Sequence, residues 1–366
     1  MKIKDFEQGA ADDSGAPDAK GKPTPYGQWK AVEGIPVYPG YYFEDLRDVE
    51  LAPWARTGGL GCFINHQASD ESNDCHLCEI PPGGSLNLER HLYEEMIYVL
   101  SGNGSTTVHA ADGHQQSFEW QAGSLFAIPL NAPHQHFNGS GSEPARFIAV
   151  TNLPSVINLF NSPPFVYECD YPFANRFDNE DNYFSADGEL VGRYLWRTNF
   201  VPNASSIEIY EYSERGAGAK VELSLARNTM GAHISGFPVG TYKMAHKHGP
   251  GAHIIIVSGE GYSLMWRPGE EPKRYDWDYG SLVIPPDGWF HQHFNTGPDT
   301  ARYLALSYRA RRPRNEEGIP LSRLSTRLGG DQIEYQDEDP IVLEMYRSAL
   351  AERGVEFNMD LSLWQG

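Results

Sequence analysis

Two stretches of this chain repeat each other at one fixed distance, and that repeat limits the architecture more than any other feature. CHLCEIPPGGSLNLERHLYEEMIYVLSGNG begins at Cys75, and AHISGFPVGTYKMAHKHGPGAHIIIVSGEG begins at Ala232. GSLFAIPLNAPHQHFN begins at Gly123, and GSLVIPPDGWFHQHFN begins at Gly280. Positions 75 and 232, 102 and 259, 123 and 280, and 134 and 291 are all 157 residues apart. One offset held over two separate blocks means two equivalent units, placed at residues 46–155 and 206–312. Around them the reading leaves an N-terminal arm (1–45), a linker rich in Asn, Asp, Pro and aromatics (156–205), and a C-terminal tail (313–366).

Both blocks read as short apolar strands. IYVLSG and IIIVSG end on turn glycines, and SLFAIP and SLVIP end at prolines that stop ladder pairing. With 37 Gly and 26 Pro in 366 residues, the expectation is an all-β chain of two barrels or sandwiches. One helix is expected in the tail. DEDPIVLEMYRSALAERGVEF has Pro340 for a first turn, Gly354 for a stop, and Ile341, Leu343, Met345 and Leu350 for an apolar face. The formal charge of −20 argues against nucleic-acid and anionic-membrane partners. No signal segment or transmembrane-length stretch is read, so a cytoplasmic location is expected. Cys75 and Cys78 form a C-x-x-C, but three residues apart on a strand they face opposite sides. Cys62, Cys75, Cys78 and Cys169 are therefore expected as thiols.

The two blocks resemble the two motifs of the cupin superfamily. The first motif is H-x-H, then three or four residues, Glu, six residues and Gly. The second is Gly, five residues, P-x-G, two residues, His, three residues and Asn. The resemblance implies two tandem cupin barrels (double-stranded β-helix, jelly-roll) and a metal site at the mouth of each. In the second unit His246 and His248 match H-x-H, and His291 matches the later histidine. H-x-H puts two imidazoles on one face of a strand, and three converging imidazoles suit Fe(II), Mn, Ni or Zn. The family's glutamate position is Ala252, which leaves a neutral three-histidine set similar to that of gentisate-type dioxygenases. His253 follows it. Regular alternation turns His253 away, whereas a bulge at Gly249, Pro250 and Gly251 would turn it inward as a fourth ligand. In the first unit the motif positions hold Glu89, His91, Glu95 and His134. Either all four hold a metal, or Glu89 pairs with Arg90 or another cation and the site has decayed.

Both units carry HQHFN, so His136 and His293 share a face with the matched ligands and are the acid–base candidates. The alternative is that they hydrogen-bond the barrel wall. Tyr242, Met244, Trp266 and Phe294 are expected to line a substrate pocket. Arg302 is placed either against a substrate carboxylate or in solvent. The function expected first is an Fe(II)-dependent dioxygenase that takes O2 and a small chelating substrate such as an aromatic diol, hydroxy-acid or diketone. The alternatives are a non-oxidative metal-dependent hydrolase, lyase, decarboxylase or isomerase, supported by Glu89 and Glu95, and a binding protein without turnover. The tail is a candidate homo-oligomer contact.

Overall fold

The computed structural model describes residues 23–65, 72–212, 215–249, 251–308 and 314–365. It contains two barrels of one design, each a large sheet facing a three-stranded one. In the first barrel Gly59–Asn65, Asp74–Ile80, Ala145–Thr151, Glu95–Ser101 and Leu125–Ile128 run side by side, opposite His134–Asn138, Asn103–His109 and Gln115–Gln121. In the second, Ala219–Ser224, Met230–Phe237, Ala301–Tyr308, His253–Ser258 and Leu282–Val283 take the same order. They face Phe290–Asn295, Gly261–Trp266 and Lys273–Trp277. The repeat is thus visible strand by strand. Asn138 and Asn295 close matching turns: Asn138 donates to the carbonyls of Ile80, Pro81 and Glu143, and Asn295 to those of Phe237, Pro238 and Asp299.

The barrels exchange their outermost strands. Tyr42–Phe43, from the arm, pairs with Leu282–Val283 of the second barrel. Phe200–Val201, from the linker, pairs with Leu125–Ile128 of the first. The arm is therefore structured from Pro23 onward. Its helix Pro25–Glu33 is capped by Thr24 and buries Tyr26 and Trp29 against Phe63 and Leu153. The faces of the two large sheets turned away from their three-stranded partners meet in one core that includes Cys62, Leu77, Met96, Leu223, Ile234 and Leu304. The four cysteines are free thiols, three of them buried.

The tail folds onto the second barrel. Asp339 caps the helix Pro340–Arg353, and Gly354 ends it at φ 66°. The buried face is Val342, Tyr346, Ala349 and Leu350, with Ile341 exposed. This face is rotated from the one expected, because Tyr346 reaches down to donate to the Asn295 carbonyl at 2.6 Å and stacks among Tyr242 and Phe294. No helix of the described residues is long and apolar enough to cross a membrane.

Candidate metal centres

Each barrel brings its motif residues together by the same backbone bridge. Glu89 and His134 exchange N–H···O bonds of 2.9 and 2.8 Å, and His246 and His291 exchange bonds of 3.1 and 2.9 Å. Glu89 and His246 are thus one position filled differently.

In the first barrel His91, Glu95 and His134 converge, with donor atoms within 4.8 Å of one another. Glu95 lies 3.4 Å from His91 Nε2, 3.9 Å from His134 Nε2 and 3.6 Å from His76 Nε2. Nδ1 of His91 donates to the Tyr93 carbonyl at 2.9 Å, and Nδ1 of His134 to that of Ala132 at 3.0 Å. With Nδ1 engaged by a carbonyl in each, the Nε2 atoms of both rings and the Glu95 carboxylate point toward one common centre. Burial alone would raise the Glu95 carboxyl, but the His91 hydrogen bond and the neighbouring imidazoles pull it well below the usual range. Burial pushes His134 down to about 3. Both groups are ready to ligate without losing a proton near neutrality.

Glu89 does not join them. Arg56 takes its carboxylate, and the same guanidinium bonds Glu33 at 3.0 Å and lies 4.5 Å over Trp54. Of the two readings offered for Glu89, the structure supports pairing with a cation, and the cation is Arg56 rather than Arg90. Removing Glu89 leaves a two-histidine, one-carboxylate set. His76, which no motif contains, closes the far side of Glu95 and contacts Trp54 edge-on at 5.2 Å.

In the second barrel His246, His248 and His291 converge with donor atoms within 4.8 Å of one another. Their Nδ1 atoms face the carbonyls of Met244, Gly249 and Trp289 at 3.4, 2.9 and 3.4 Å. The Nε2 atoms are again left for the centre. Burial, with Arg215 and the neighbouring imidazoles, holds His246 well below its ordinary value. Arg215 Nη1 donates to His246 Nε2 at 2.5 Å. That bond and a metal on the same lone pair exclude each other.

His253 is not a fourth ligand here. It faces away from the triad, fully buried, toward Asn73 of the first barrel, as regular alternation requires. Gly249 and Gly251 do not turn it inward, and Pro250 lies outside the described residues.

A cavity of about 70 Å³ adjoins His246 and His293. Its wall carries four cationic side chains, Arg215, Lys220, Lys243 and Arg323, against one carboxylate, Glu222, which pairs with Lys220 at 2.9 Å. Lys243 is 6% exposed and donates to Ser235 Oγ at 3.1 Å. Among the described residues no carboxylate pairs with it. Burial, with Arg215 and Lys220 adding repulsion, lowers its ammonium to about 7. Gln292, on the same wall, has a buried Oε1 with no hydrogen-bond partner among the described residues.

Of the expected pocket residues, Met244 lines this cavity, and so does the acid–base candidate His293. Tyr242 and Phe294 do not; they pack with Tyr262 and Tyr346 under the tail. The reason is local: residues 241–246 form isolated bridges rather than a regular strand, so simple alternation fails and Lys243 faces the cavity instead. Trp266 stacks on Phe290 beneath the tail. Arg302 donates to the Ile207 carbonyl at 2.7 Å and takes neither expected place. His136 and His293 are each held at 2.7 Å by a wall hydroxyl, Thr106 or Ser263, which in turn accepts from Trp120 or Trp277. Burial lowers His136 to about 4 and His293 to about 3. Arg56, His76, Arg215 and Lys243 belong to no sequence motif of the site, and only the fold brings them to it.

Residues 76–151 match the Cupin domain family. The second barrel repeats the first strand for strand, which extends the fold to it. The chain has two tandem barrels of the cupin fold. It is 33% identical over 75 residues to the oxalate decarboxylase OxdC of Bacillus subtilis (strain 168), a stretch of 20% of this chain and 19% of that one. A solved structure of Bacillus subtilis oxalate decarboxylase with Mn(II) centres superposes at TM-score 0.46 and 16% identity, covering 74% of this chain and 77% of that one. Another oxalate decarboxylase structure, concerned with proton-coupled electron transfer, gives 0.47 and 15% over the same shares. The fold assignment rests on the internal repeat and on the family match of the first barrel, not on these superpositions.

Proposed function

We propose that this protein is a metal-dependent enzyme that acts non-oxidatively on a small carboxylate substrate, held at the second barrel between the His246–His248–His291 set and Lys243. The observation that carries the reading is the buried ammonium of Lys243, without a carboxylate partner among the described residues, opening on the same cavity as His246. A buried charge without a partner is costly, and an anionic substrate would offset that cost. The three imidazoles suit Mn(II) or Fe(II), and the first barrel's His91, Glu95 and His134 suit the same ions. When bound, such a metal supplies Lewis-acid polarisation of a substrate oxygen. Arg215 and Lys243 would bind the carboxylate. Lys243, with its proton affinity brought near neutrality, can hold or release a proton beside the substrate. The small cavity favours a substrate of a few heavy atoms. The resemblance to an oxalate decarboxylase over part of the chain supports the non-oxidative class and makes oxalate the first probe.

The Fe(II) dioxygenase remains the second reading, favoured by Ala252 in place of the family glutamate and by the neutral ligand set that results. Turnover of small carboxylates by Mn(II)-loaded and Fe(II)-loaded protein, with gas uptake and release recorded, separates them. CO2 release or hydrolysis without stoichiometric O2 uptake supports the first reading. Uptake of one O2 per substrate supports the second.

A further inference from the structure

His253 leaves the triad for a different group of donors. It starts the strand His253–Ser258 and meets Asp74 and Cys75 at the start of Asp74–Ile80. One donor atom from each of the three lies within 4.8 Å of the others, and all three residues are buried. The junction belongs to both barrels: Asp74 and Cys75 come from the first, His253 from the second.

The geometry points to a third metal site, in which Asp74, Cys75 and His253 hold a Zn(II)-type ion that clamps the two barrels together. A thiolate, an imidazole and a carboxylate form a donor set that zinc accepts in near-tetrahedral geometry, with ligand bonds of about 2.0–2.3 Å. Closing the present spacing to those lengths takes movements of well under a side-chain length.

The internal repeat supplies the control. The positions equivalent to Asp74, Cys75 and His253 are Gly231, Ala232 and Met96. None of them is a strong ligand, and Ala232 and Met96 are simply core. The same junction is thus built once from apolar or small residues and once from three different metal-binding groups. The backbone around the second version is tightly fixed. Asn73 donates to the Gly251 carbonyl at 2.8 Å, and a Cβ on Gly251 would meet Asn73 Oδ1 at 1.8 Å. Tyr26, from the N-terminal helix, donates to Asp74 Oδ2 at 2.7 Å and orients the carboxylate. Nδ1 of His253 faces Asn73 Nδ2 at 3.5 Å. Binding displaces one thiol proton, so affinity should rise with pH.

Cobalt(II) titration of the full-length protein tests the site, because neither barrel-mouth set contains a cysteine. We expect Co(II) to produce a near-ultraviolet thiolate-to-cobalt charge-transfer band in wild type. The band should persist in His91→Ala and His248→Ala, and disappear in Cys75→Ser and in His253→Gln. Zinc should displace the cobalt and abolish the band. A wild type that binds cobalt only at the barrel mouths, with no thiolate band, would overturn the proposal. So would a band that survives Cys75→Ser, whatever the stability of that variant.

Discussion

Replacing Lys243 with methionine separates the cost of the buried ammonium from its use. In water a lysine titrates near 10.5, and in this site near 7. At about 1.4 kcal/mol per unit, the folded state pays on the order of 4 kcal/mol at neutral pH to keep this group. The sign follows from proton counting. Between about pH 7 and 10.5 the unfolded chain binds more protons at this position than the folded one. Wild-type stability therefore rises with pH through that window, and the full penalty applies below it. Methionine has similar length and no charge, but it leaves Ser235 Oγ without its partner, which returns about 1 kcal/mol. The net expectation for Lys243→Met is a gain of roughly 3–4 kcal/mol at and below neutrality, shrinking toward high pH. Carboxylate binding should fall at the same time by on the order of 2 kcal/mol, or about thirty-fold in Kd. Urea unfolding followed by tryptophan fluorescence on both sides of neutrality, beside titration with oxalate, measures both. A variant that is less stable than wild type at acid pH and binds oxalate equally well would refute the reasoning.

His248→Ala should remove the metal of the second barrel and His91→Ala that of the first, each read as loss of one ion per chain by elemental analysis. Arg56→Ala leaves Glu33 and Glu89 without their shared cation and should cost about 3–5 kcal/mol in unfolding experiments; the more conservative Arg56→Lys should recover only part, because an ammonium cannot span both carboxylates in the plane of Trp54. Arg215→Gln removes the donor that occupies His246 Nε2, so Mn(II) should bind the second barrel more tightly, measured by calorimetry.

The two-barrel fold was legible because strand and turn signals recur at one spacing, and spacing survives packing. The strand exchange was not, since two-residue edge strands such as Tyr42–Phe43 carry no periodic pattern. The orientation of His253 followed from alternation, which holds inside a regular ladder. The same rule misplaced Tyr242, because residues around it bridge singly and the tail offers a competing aromatic face. The fate of Glu89 depended on Arg56, a residue 33 positions away whose approach is created only by the fold. Lys243 was hidden for a simpler reason: a lysine is usually exposed, and only burial makes it informative.

The central claim is that a small carboxylate meets a metal held by His246, His248 and His291. The most direct measurement is the electron paramagnetic resonance spectrum of Mn(II)-loaded protein titrated with oxalate, in wild type, His248→Ala and His91→Ala. The account predicts an oxalate-dependent change that is present in wild type and His91→Ala and absent in His248→Ala. A change that survives His248→Ala and vanishes in His91→Ala would contradict it and move the chemistry to the first barrel.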